Sequence, residues 1–171
     1  MPNKDSKSTV QAAKFFSMAP QYMNGIVCTG HYFTVPIDYE NPTGGSIKVF
    51  AREVVSLDNK NKGRDELPWL LFLQGGPGFQ SPRPEGSSGW LKRALQKFRV
   101  VLLDQRGTGL STPVTIDTLP MISDSQKQFE YLRNFRADNI VRDSEVIRKE
   151  LANDAKWTFL EFWKKQFPRC P

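Results

Sequence analysis

Trp69-Leu70-Leu71-Phe72-Leu73-Gln74-Gly75-Gly76-Pro77-Gly78 is the stretch on which the fold class turns. Its first five residues form an unbroken apolar run. Such a run reads as a strand buried on both faces, the pattern of a parallel sheet. The run stops at a glycine-rich turn. A polar loop from Gln80 to Ser88 then leads into Trp90 to Phe98, where apolar residues at 90, 91, 94, 95 and 98 have helical spacing. Val100-Val101-Leu102-Leu103 is a second buried strand and ends at Asp104-Gln105-Arg106-Gly107-Thr108-Gly109. Strand, loop, helix, strand is the βαβ repeat of an α/β fold.

Upstream, His31-Tyr32-Phe33-Thr34-Val35 is aromatic and β-branched and closes at Pro36, as a strand does. Asp38 to Gly45 is turn chemistry, with Asn41-Pro42 and Gly44-Gly45. Ser46 to Val55 alternates polar with apolar residues, which suits a strand wet on one face. The two strands predict an antiparallel hairpin. Asp58 to Glu66 is a charged loop. Residues 1–28 read as a leader, with a short helix over Gln11 to Met18. Downstream, Pro113 to Ser125 reads as irregular. A helix is expected over Asp138 to Ala152, capped by Asp138, with Ile140, Val141, Ile147 and Leu151 on one side. Trp157-Thr158-Phe159-Leu160 has the composition of the next core strand. The domain boundaries that follow are a leader over 1–28, a partial α/β domain over 29–160 and a divergent basic and aromatic tail over 161–171.

The 171 residues suffice to enclose one core. Hydrophobic residues make up 39% and charged residues 25%, which argues against wholesale disorder. The net charge of +6 comes from 24 basic and 18 acidic residues, mostly interspersed, as in Arg148-Lys149-Glu150. No basic block of the kind that marks a nucleic-acid arm occurs, so no nucleic-acid partner is expected. Cys28 and Cys170 make neither a disulfide framework nor a zinc pattern. Neither a signal-peptide core nor a bilayer-length apolar run occurs. A cytoplasmic protein without a membrane partner, a metal or a cofactor is the expectation.

Two motifs carry chemistry. A glycine-rich turn after a buried strand, Gly75-Gly76-Pro77-Gly78, lets the main chain approach a substrate and aim N–H groups at a developing oxyanion. The same tetrapeptide also serves as a plain tight turn. Asp104 to Gly109 fails as a dinucleotide loop, because Thr112 stands where Gly-x-Gly-x-x-Gly needs its last glycine. It fails as a phosphate loop for want of Gly-Lys-Ser/Thr. As a structural turn it would pair Asp104 with Arg106, with its glycines supplying positive φ.

Taken in order, the two motifs resemble the proline iminopeptidase (prolyl aminopeptidase) family of α/β-hydrolases. Phe33-Thr34-Val35-Pro36-Ile37-Asp38-Tyr39 and Val49 to Val55 are similar to the leading hairpin of its longer-chain members. Ala137 to Asp143, continuing through Ile147-Arg148, is similar to the helix before the nucleophile strand. The resemblance covers roughly residues 30–160. Gln74 departs from the histidine of many members. The resemblance implies the N-terminal half of an α/β-hydrolase sheet and a serine peptidase that removes an N-terminal residue, preferably proline, from peptides. It implies that Gly75, Gly76, Pro77 and Gly78 form the oxyanion loop. It also implies that Asp104, Gln105, Arg106, Gly107 and Gly109 shape the floor of the site.

The nucleophile of this fold sits in Gly-x-Ser-x-Gly on a sharp turn from strand to helix. The family places it directly after a Trp-Thr-x-Leu strand, which here is Trp157 to Leu160. Glu161 to Pro171 contains neither glycine nor serine, and no serine follows Ser144. The only histidine, His31, precedes every candidate nucleophile, whereas the fold requires it last; it reads as a strand residue. Cys170 has no histidine after it. The expectation is therefore an inactive form truncated before the elbow, with no catalytic residue of its own. A frameshift or alternative exon junction at Glu161 would account for the abrupt switch. A non-catalytic binding or regulatory module is the alternative. Stopping at Leu160 would leave an apolar sheet edge open to self-association and the chain marginally soluble.

Overall fold

The computed structural model describes residues 15–75 and 78–161. Seven strands form one open sheet: β1 (Phe15–Ser17), β2 (Gln21–Met23), β3 (Ile26–Pro36), β4 (Ser46–Ser56), β5 (Trp69–Leu73), β6 (Arg99–Asp104) and β7 (Trp157–Glu161). The spatial order is β1-β3-β4-β6-β5-β7, and β2 also pairs with β3. Three helices accompany them: α1 (Gly89–Ala94), α2 (Ser125–Leu132) and α3 (Ala137–Ala152).

The expected hairpin is present. β3 and β4 run antiparallel in unbroken register from Ile26↔Ser56 to Pro36↔Ser46. The expected βαβ unit is present too, with β5 and β6 parallel from Trp69↔Arg99 to Leu73↔Leu103. Because β4 meets β6 antiparallel, the sheet passes from antiparallel to parallel at β6. This mixed α/β sheet is the architecture expected of the first half of an α/β-hydrolase.

Both faces of the sheet are covered. On one face, Val49, Ala51, Trp69, Leu71, Val101 and Leu103 pack against Ile147, Leu151 and Ala152 of α3. On the other, Val54, Leu70, Phe72, Val100 and Leu102 pack against Leu91 and Leu95 from α1 and its C-terminal turn. Alternate residues of Trp69 to Leu73 and of Val100 to Leu103 feed opposite cores, which is why these runs contain no polar position.

The structure departs from the sequence reading at several elements. Phe15–Ser17, expected in a helix, is a strand paired with His31–Phe33, and the Phe15 ring stacks on Phe33 at 5.1 Å. An edge partner on β3 outweighs the local helical pattern. Thus the described part of the expected leader joins the sheet. The helix after the polar loop ends at Ala94, and Leu95 to Phe98 form its closing turns. The stretch read as irregular is followed by α2, whose first turn Asp124 caps through Lys127 N. For α3 the N-cap is Arg136, so Asp138 lies inside the first turn rather than capping it. Val141 is 64% exposed, whereas Asp143 and Ser144 are buried. The inner stripe therefore runs Ile140, Asp143, Ser144, Ile147, Leu151. Finally, β7 pairs only with β5 among the described residues, and Phe159 is 63% exposed. Among the described residues it stands at the sheet edge, as expected where Trp157 to Leu160 is left without a further strand.

Candidate functional site

β5 lies between β6 and β7. The chain leaves β5 to one side for β6 and returns on the other side for β7. In an open parallel sheet, the crevice for a ligand opens outside the carboxyl end of the strand where the connections part. That end of β5 is Gln74-Gly75, and the Asp104 turn closes the neighbouring end of β6. The topology thus brings Gln74-Gly75 and the Asp104 turn to the place in the sheet where a ligand crevice opens.

The turns are tied together. Gln105 Nε2 donates to Gln74 O at 3.1 Å. Gly78 has φ +122°, a conformation closed to most side chains, and it is exposed. Gly76 and Pro77 lie outside the described residues.

Asp104 organises its turn but does not pair with Arg106. Its carboxylate is fully buried and accepts from Ser81 N, Leu110 N and Arg83 Nη2, each at 2.9 Å. Gly109, at φ +54°, passes so close that an added Cβ would sit 2.2 Å from Asp104 Oδ2. Gly107, at φ +84°, leaves room for the Phe135 ring. These contacts draw the loop after Gly78 onto the end of β6.

Arg106 points away from the crevice. Its Nε and Nη2 grip Asp143 on α3 at 2.7 and 2.6 Å, a bidentate fork. Its Nη1 donates to Ile37 O at 2.9 Å and Asn134 O at 2.7 Å. Tyr39 Oη donates to Asp143 Oδ1 at 2.8 Å. Burial pushes the Asp143 carboxyl up, against the pull of Arg106 and Tyr39. Burial and the neighbouring Asp143 push the Tyr39 phenol up strongly. Arg106 thus fastens the turn to the hairpin and to α3. The expected Asp104–Arg106 pair fails because each residue has a better buried partner elsewhere.

The sequence reading missed Ser81, Arg83 and Asp143. Asp143 carried a signal, being a carboxylate on the inner stripe of an amphipathic helix, where a charge needs a partner. Ser81 and Arg83 carried none, because loop residues acquire partners only through the tertiary fold.

His31 lies elsewhere, completely buried on β3. Its Nε2 is 3.0 Å from Glu53 Oε2, and its Nδ1 is 2.9 Å from Ser17 Oγ. Glu53 also contacts Arg99 and, at 3.3 Å, Arg64. Burial would raise the Glu53 carboxyl, but the His31 hydrogen bond and the charges of Arg99 and Arg64 hold it below the usual carboxylate range. Among the described residues, no group of three or more His, Cys, Asp or Glu is placed to hold a metal ion. No described helix is long and apolar enough to cross a membrane.

No protein-family model matches the chain. Among curated proteins it is 52% identical over 139 residues to the proline iminopeptidase of Aeromonas sobria, across 81% of this chain and 32% of that protein. It is 44% identical over 137 residues to the proline iminopeptidase aneH of Aspergillus aculeatus, across 75% of this chain and 29% of that one. The chain spans about a third of the length of these relatives.

Proposed function

The chain belongs with the proline iminopeptidases over the aligned four-fifths of its length, and on that premise we propose that it supplies the oxyanion side of a serine aminopeptidase site. In this reading, the main chain of Gly75 to Gly78 stabilises the tetrahedral oxyanion. The Asp104 to Gly109 turn forms the floor. The substrate is a peptide whose N-terminal residue, preferably proline, is released by acyl transfer. The observation that carries the reading is the position of both turns at the switch point of the sheet, joined by the Gln105–Gln74 hydrogen bond.

These 171 residues hold no serine after Ser144 and no histidine after His31, so the chain by itself is inactive. The nucleophile, acid and base come from sequence corresponding to the uncovered two-thirds of the relatives. The open edge of β7 is where such a partner segment, or a second copy of the chain, adds to the sheet. A cytoplasmic setting belongs to the same reading and suits the buried free thiol of Cys28. A fluorogenic proline amide tests the proposal. The chain alone should release no fluorophore, and the chain mixed with the remaining segment of a relative should regain turnover. Hydrolysis by the chain alone, abolished by a serine-directed inhibitor, would overturn it.

A further inference from the structure

Two arginines beside the Asp104 turn are short of acceptors. Arg52 stands in the middle of β4, opposite Leu102 of β6, with its guanidinium 5.1 Å from the centre of the Phe50 ring. Arg83 lies in the loop that follows Gly78. Its Nη2 donates to Asp104 Oδ2 at 2.9 Å and to Gln80 Oε1 at 3.0 Å. In both residues Nη1 is buried and has no hydrogen-bond partner among the described residues. The two cations also sense each other. After burial, the charge of Arg83 is the largest influence lowering the proton affinity of Arg52, while Asp104 opposes it.

A buried donor without an acceptor costs about 1–3 kcal/mol, and more when it is charged. A chain has little reason to set Arg52 within the field of the Arg83–Asp104 ion pair and leave a donor idle on each arginine, unless an acceptor arrives from outside. The Arg83 side chain is 32% exposed and Arg52 is half-buried, so a modest outward turn of each guanidinium would bring its buried Nη1 to a ligand. The sum of two arginines and one aspartate is a single positive charge, which matches a monoanion. The planar guanidinium fork matches a carboxylate in geometry.

We propose that Arg52 and Arg83 form a carboxylate-binding site, held ready by Asp104, that takes the C-terminal carboxylate of a short peptide. The choice of a peptide rests on the proposed function above, since Arg83 sits on the loop leading out of the Gly75–Gly78 turn. Arg52 would face the carboxylate with its idle nitrogen. Arg83 would do the same while its other nitrogen stays on Asp104. Recognition at this point favours short peptides, whose carboxyl end falls within reach of the crevice.

The test uses the full 171-residue chain and nitrogen-15 NMR of the arginine side chains, with three probes: trialanine, trialanine amide and inorganic phosphate. Trialanine should shift the Arg52 and Arg83 signals saturably. The amide should bind at least about tenfold more weakly, because it lacks the charge that strengthens these hydrogen bonds. Arg52→Gln should weaken trialanine binding by a similar factor. The acid-against-amide comparison stands on the unsubstituted chain, so it decides the matter even if the variant folds poorly. Equal shifts from acid and amide, no saturable shift from either, or tighter binding of phosphate than of trialanine would each overturn the site. Binding needs no turnover, so a carboxylate-dependent shift without reconstituted hydrolysis would count against the peptidase reading alone. Reconstituted hydrolysis indifferent to the carboxylate would count against this site alone.

Discussion

Arg106 and Asp143 show how one pair of side chains sets the position of a whole turn. Both are buried, and their bidentate contact joins the end of β6 to α3. Removing one partner leaves an uncompensated buried charge, which costs about 3–5 kcal/mol. Asp143→Ala should therefore lower stability by that amount in denaturant unfolding. The double change Arg106→Met with Asp143→Leu should cost clearly less than the sum of the single changes. Glu53 gives a prediction in pH. Its carboxyl is held below its ordinary value in the folded chain, so it contributes stability at pH values above the unfolded-state pKa of about 4.3. That contribution is lost as pH falls through the folded-state value. Melting temperature should drop steeply below about pH 4, and Glu53→Gln should flatten the slope in that window. Gly109→Ala should also destabilise. A side chain there meets Asp104 Oδ2 and must adopt a left-handed backbone, at about 1–2 kcal/mol for the conformation alone. Amide chemical shifts of Ser81 and Leu110, the two N–H groups held by Asp104, should report the displacement.

The elements divide into those secured on both sides and those secured on one. β5 has strand neighbours on both edges and helices over both faces. β7 has one strand neighbour among the described residues and presents Thr158 and Phe159 outward. Exposed apolar edges of this kind pair with other chains unless a charge blocks them. Phe159→Lys should reduce concentration-dependent association in sedimentation velocity, and the melting temperature should change little because Phe159 is not part of either core. Association unchanged by that substitution would remove β7 from the list of contact surfaces.

At the scale of the molecule, the sheet places Gln74-Gly75 and the Asp104 turn at one switch point, with a helix layer on each side to hold them. On the proposed reading, the arrangement is half of a catalytic device. In that reading it offers backbone donors, a floor and two under-partnered arginines, and a complementary segment supplies the residues that perform acyl transfer. Addition of a complementary segment should therefore have two effects at once. It should restore hydrolysis of a proline amide, and it should raise the melting temperature by covering β7.

The sequence alone determined the elements whose signal is local. The apolar run of β5 and β6, the alternation of β4 and the helical period of α3 follow from strand and helix geometry, so composition reveals them. Their order, together with the two glycine turns, also pointed to the family. The tertiary structure decided everything that depended on distant partners. Phe15 to Ser17 became a strand because β3 offered an edge. Asp104 and Arg106, two residues apart, parted company because Ser81, Leu110 and Arg83 approached one of them and Asp143 the other. The unmet donors of Arg52 and Arg83 were invisible as well, since a missing acceptor is a property of the packed surroundings and has no signature in the order of residues.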